Sequence, residues 1–178
     1  MIRQLKLLIV ALALLSKAGG AIAQEDLAEN LKIFKPFLGK TWRGELNDPG
    51  MDKPATDVAR WERALNGQAV RVLHSVNNGE YGGESIIVWD KAKKSLVFYY
   101  FTTAGFYTSG TMTIENGKFI SHEYVTGNTN GISEVKGISE ATADGKMVSK
   151  SQYLQNGKWV DGHSTVYTED ASAQVLFK

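Results

Sequence analysis

The sequence predicts an all-β protein: a closed up-and-down antiparallel barrel of about ten strands with one short N-terminal helix. Three observations predict it. Asn-Gly occurs five times (Asn66-Gly67, Asn78-Gly79, Asn116-Gly117, Asn130-Gly131, Asn156-Gly157), and Asp144-Gly145 is a further turn dipeptide of the same kind. Both central positions of a tight hairpin turn need positive φ, which these residues adopt at low cost. The runs between them are strand-sized, and no helix-length pattern separates them as a parallel crossover would require. The strand count is even, so a simple meander closes without leaving an edge.

Taken in order, the chain begins with a leader. Arg3 and Lys6 precede the apolar run Leu7 to Leu15, and Ala21-Ile22-Ala23 has the small-residue form of a cleavage site. That order is a secretory signal peptide over residues 1–23, its apolar run too short to span a bilayer. The expected product is a single domain of residues 24–178, exported to the periplasm or beyond the cell. With no cysteine anywhere, a lipoprotein anchor, disulfides, thiolate metal sites and a cysteine nucleophile are all excluded. Lysine and arginine number 20 against 19 aspartates and glutamates, and the leader takes Arg3, Lys6 and Lys17 with it. The remainder is near-neutral with no basic block, which gives no electrostatic reason to bind nucleic acid. No later apolar run suggests membrane insertion.

The helix is expected over Asp26–Leu38, with Asp26 as N-cap and Leu27, Leu31, Phe34 and Leu38 on one face. Pro36 weakens its second half. Strands are expected at Lys40–Leu46, Asp57–Leu65, Gln68–Val76, Glu84–Trp89, Ser95–Thr102, Tyr107–Glu115, Lys118–Thr126, Ile132–Ala141, Lys146–Leu154 and Trp159–Thr168. Asn47 to Thr56 is the longest irregular connection. Ten strands should enclose a cavity, since diameter grows with strand number.

The fifth strand carries Val97-Phe98-Tyr99-Tyr100-Phe101, apolar or aromatic on both faces. If Trp89 pairs with Leu96, one face holds Ile87, Trp89, Leu96, Phe98 and Tyr100, the other Ile86, Val88, Val97, Tyr99 and Phe101. One lines the interior. The helix is the expected cover of the other, and a homodimer contact is the alternative. Later strands scatter Glu134, Lys136, Lys150 and Gln152 among few large apolar residues, so the cavity is expected to be wetter on that side.

Leu38-Gly39-Lys40-Thr41-Trp42-Arg43-Gly44 resembles the opening of calycin-type barrels, where a G-x-W-x-G motif starts the first strand and its Trp plugs one end. Gly39 and Trp42 stand one residue further apart than that motif, while Trp42-x-Gly44 fits it. Val88 to Met112 is also similar to secreted bacterial domains of lipocalin-like shape. The resemblance implies a barrel that binds a small, largely apolar molecule. A narrower resemblance, to nitrobindin-type haem barrels, implies an axial histidine on the last strand. His163, within Gly162-His163-Ser164-Thr165-Val166-Tyr167, stands at the matching place.

The candidate pocket residues are Trp61, Trp89, Phe98, Tyr99 and Tyr100 as walls, and Arg71 as an anchor for a ligand carboxylate. Each has a plainer reading: core for the aromatics, a surface ion pair for Arg71. His74, His122 and His163 would make a metal site only if all three pointed inward at one height. No G-x-S-x-G or phosphate-binding glycine loop is present, and no catalytic residue or metal ligand is assigned. The expected function is binding of a small apolar or amphipathic molecule without transforming it and without a cofactor. The alternatives are haem through His163, an enzyme using a buried carboxylate or histidine in the same cavity, and an envelope interaction module.

Overall fold

The computed structural model describes residues 26–127 and 130–178, so the expected leader lies outside the described residues. Ten strands follow one another around a closed barrel: β1 (Thr41–Asn47), β2 (Ala55–Ala64), β3 (Ala69–Val76), β4 (Tyr81–Asp90), β5 (Ser95–Thr102), β6 (Tyr107–Glu115), β7 (Lys118–Thr126), β8 (Ile132–Ala141), β9 (Met147–Gln155) and β10 (Lys158–Glu169). Every pairing is antiparallel, and β1 closes on β10 from Trp42↔Glu169 to Asn47↔Ser164. Strands β5 to β8 have the bounds expected from sequence. The hairpins turn where the Asn-Gly dipeptides stand, with φ of 52° and 77° at Asn116 and Gly117 and 51° and 78° at Asn156 and Gly157.

Strand β4 starts earlier than expected, at Tyr81, because Gly82 and Gly83 belong to the strand rather than to a turn. Gly83 faces the lumen, where an added Cβ would lie 2.4 Å from the Tyr100 ring. Glycine is there to let that ring lie against the strand.

The expected helix is present but departs from expectation in form and place. It is a 3-10 helix over Glu29–Phe37, with Pro36, which has no amide to donate, in its last turn. Ala28 holds the N-cap position without a side-chain hydrogen bond, while Asp26 pairs with Lys35 instead. Three residues per turn put Leu31, Phe34 and Phe37 on one line, and all three are buried. Leu38 is the C-cap rather than part of that face.

The helix does not cover the outer wall. It plugs one end of the barrel from within. Phe34 stacks on Trp61 of β2 at 5.8 Å and on Phe119 of β7 at 5.1 Å, two strands on opposite sides of a ten-strand ring. Phe37 packs on Trp42 and Trp61, and the same cluster takes in Val70, Ile87, Leu96, Phe98 and Met147. Gly39, at φ +72°, turns the chain from helix into β1, and its amide donates to the Trp61 carbonyl. Trp42 Nε1 donates to the Phe37 carbonyl at 3.5 Å. One end of the lumen is therefore closed and apolar.

The outer face of β5 and β6 keeps Tyr99, Phe101 and Tyr107 exposed, their rings in a row at 6.4 and 6.0 Å. The cover that the chain does supply lies elsewhere. Its C-terminal tail runs along the outside of β3, where the Leu176 amide donates to Ser75 Oγ at 3.0 Å.

Candidate functional site in the open half of the barrel

Strand alternation and register place every inward side chain. On β2 and β3 the partners Trp61↔Val72, Ala59↔His74 and Asp57↔Val76 share the inward face. Trp61 sits in the closed end, so Asp57 and His74, further along these strands, face the open half. Tyr81 on β4 and Tyr100 on β5 follow from the pairings His74↔Gly83 and Ser85↔Tyr100. His74 keeps 21% of its side chain accessible although it points inward, so solvent reaches this part of the lumen.

These groups form one network. The Asp57 carboxylate accepts from Tyr167 Oη at 2.6 Å and from His74 Nδ1 at 3.1 Å. His74 Nε2 lies 2.6 Å from Tyr100 Oη, which bonds Tyr81 Oη at 2.9 Å. The chain runs from β10 across β2 and β3 to β5 and β4. Burial pushes the Tyr100 and Tyr167 hydroxyls well above the usual phenol range, which keeps them protonated as donors.

A second cluster surrounds His163. The register of β10 against β9 shifts between Asp161 and Ser164, a bulge that brings His163 over Ser151 and Tyr153. Gly162 makes this approach possible, since an added Cβ would lie 2.5 Å from Ser151 Oγ and 2.8 Å from the Tyr153 ring. Tyr153 Oη donates to Asp48 Oδ2 at 3.0 Å, and Ser151 Oγ donates to the His163 carbonyl at 3.2 Å. With Tyr153 Oη donating to Asp48, we assign His163 Nδ1, 2.7 Å from Tyr153 Oη and 3.1 Å from Ser151 Oγ, as the donor of this contact. Nε2 is left with its lone pair and no partner among the described residues. Burial holds this imidazole below its ordinary value near 6.5, in the neutral form that keeps the lone pair free.

His163 lines a cavity of about 570 Å³ at the mouth, between the β1–β2 connection and the β9–β10 wall. Asp48, Asp52, Lys53, Lys150 and Asp161 give it a charged lining, and Pro49, Met51 and Pro54 supply its larger apolar surface. The Tyr153–Asp48 bond ties the connecting loop to the wall across this opening.

The candidate residues read from sequence separate into three places. Trp61, Trp89 and Phe98 belong to the closed end or pack against it. Tyr100 and His163 face the open half. Tyr99 lies outside, half exposed. Arg71 is outside too, bonded to Glu84 through Nε and Nη2 at 2.8 Å each, with Glu62 at 3.5 Å. Of the three histidines, His74 and His163 point inward, whereas His122 faces outward and bonds Glu134 at 2.6 Å, so the three do not converge. Asp48, Asp57, Tyr81, Tyr153 and Tyr167 were not singled out. Asp57 could have been found, and His74 placed on the inward face, by extending the parity of Trp61 and Val72 along their strands.

No protein-family model matches the chain, and no curated protein matches it in sequence. Among solved structures, Rv2717c from M. tuberculosis is similar with a TM-score of 0.62, over 82% of this chain and 99% of that one, at 10% sequence identity. At that identity the likeness is one of fold: a closed ten-strand antiparallel barrel.

Proposed function

We propose that this protein is an exported binding barrel, which holds a small amphipathic molecule in the open half of its lumen and does not transform it. The observation that carries the reading is His163, its Nε2 without a partner among the described residues and its ring held in place by Tyr153, Ser151 and Asp48 beside a cavity of about 570 Å³. A fixed acceptor in a partly desolvated site orients a ligand hydroxyl or amine, while nearby apolar surface contributes contact. A wholly apolar ligand is less well served, because Trp61, Trp89 and Phe98 are already engaged in the closed end. Export rests on the leader pattern of residues 1–23.

Native mass spectrometry of protein recovered from the envelope of the cells that make it tests this reading. The expected result is a noncovalent mass increment that His163→Ala loses. A bare-chain mass in both proteins would overturn it.

Haem is the second reading, favoured by one feature. His163 Nε2 has the free lone pair that an axial ligand needs, with Nδ1 held by a second hydrogen bond as such ligands require. The walls fit less well: the cavity offers a macrocycle chiefly Pro49, Met51 and Pro54 against five charged side chains. Haemin titration separates the two readings. A sharp Soret band absent in His163→Ala would favour haem, and an unperturbed haemin spectrum would leave the amphipathic ligand.

A further inference from the structure

The charge inside the barrel bears on which class of ligand it takes. The open half of the lumen contains two inward carboxylates, Asp57 and Glu123. Asp57 is satisfied by His74 and Tyr167. Glu123, inward on β7, accepts from Thr108 Oγ1 at 2.8 Å and from the Ser121 hydroxyl. It has no basic side chain within ion-pairing reach among the described residues. Its sequence neighbour His122 points outward to Glu134. Two basic residues of the described strands have inward parity: Arg63 lies beside the closed end, bonded to the Asp26 carbonyl, and Lys158 stands exposed at the open rim opposite Gln155, with no ion pair to Glu123. A carboxylate drawn partly out of water without a counter-charge is costly, and partial burial accordingly pushes the Glu123 carboxyl up.

The surroundings leave room. Glu123 stands opposite Gly110 on β6 and Val135 on β8, with Gly137 diagonal to it. Thr108, its hydroxyl donor, is the direct cross-strand partner of Tyr100, which bonds Tyr81. Two phenol rings therefore neighbour the carboxylate, and aromatic faces attract cations. At the mouth, Asp48, Asp52 and Asp161 outnumber Lys53 and Lys150.

We propose that the luminal ligand is a cation, an amine or alkylated ammonium group, whose charge is held by Glu123 beside Tyr100 and Tyr81. This rests on the luminal-binding reading above and names the class of molecule it takes. The ammonium supplies the counter-charge that the free protein lacks, and its remaining surface extends towards His163 and the mouth.

The test compares three probes of similar size at neutral pH: 2-phenylethylamine, 2-phenylethanol and phenylacetate. Calorimetry gives affinities, and imidazole resonances of His74 and His163 report whether the lumen is occupied. The amine should bind about tenfold tighter than the alcohol or better, as expected for a hydrogen bond to a charged group. In Glu123→Gln, nearly the same shape, that preference should disappear. If this variant does not fold, Glu123→Asp should show a reduced preference. Equal affinities for all three probes, with the imidazole resonances shifted, would overturn the cation proposal and leave luminal binding standing. Unmoved resonances with every probe would overturn both.

Discussion

Asp57 accepts hydrogen bonds from residues on two other strands, Tyr167 on β10 and His74 on β3, and is itself buried. Removing one donor leaves a buried charge short of a partner, a loss of about 1.5–3 kcal/mol. Tyr167→Phe should lower unfolding stability by that amount in urea, and a loss within error of zero would show that the bond contributes nothing. His163 gives a pH signature. Burial holds its folded-state value below the ordinary one near 6.5, so the unfolded chain takes up a proton first as pH falls. Its contribution to stability is present above 6.5 and is lost as pH falls below that value. The stability advantage of wild type over His163→Gln should therefore shrink between about pH 7.5 and about pH 5. An advantage that stays constant or grows would contradict the buried neutral imidazole.

Among the elements, the 3-10 helix decides which part of the lumen is available. Phe34 spans the barrel between Trp61 and Phe119 and is fully buried. Phe34→Ala should cost about 3–5 kcal/mol, the range for truncating a buried aromatic in a core that relaxes only partly. A cost below about 1 kcal/mol would mean that the helix is not a working plug. The strands and turns were legible in the sequence because asparagine and glycine are needed locally, at positive φ. The helix was legible as an apolar stripe, but a stripe does not name what it packs on. The helix has three residues per turn rather than the α period, which exchanged Leu38 for Phe37 on the buried line. The alternation in β5 separated Phe98 and Tyr100 from Tyr99 and Phe101, but it could not say which set faced inward. Arg71 belongs to the outer parity for the same reason, and its flanking valines, Val70 and Val72, are the inward pair. His163 was legible as a residue, whereas its environment was not: Asp48 lies 105 positions from Tyr153 in the chain, and no local pattern joins them.

At the scale of the whole molecule, closure and polarity act together. Ten strands leave a lumen wider than side chains from eight would fill, and the chain fills one end with its own helix. The other end is lined by hydroxyls, carboxylates and imidazoles on nearly every strand. Such a lining would be costly in a packed core and is suited to a chamber that exchanges water for a ligand. The most direct measurement is a crystal structure of the protein isolated with whatever it carries from its own cell. The account predicts density for a small molecule in the open half, with one polar atom within hydrogen-bonding distance of His163 Nε2. A lumen filled by the protein's own side chains, with Nε2 bonded to one of them, would contradict it.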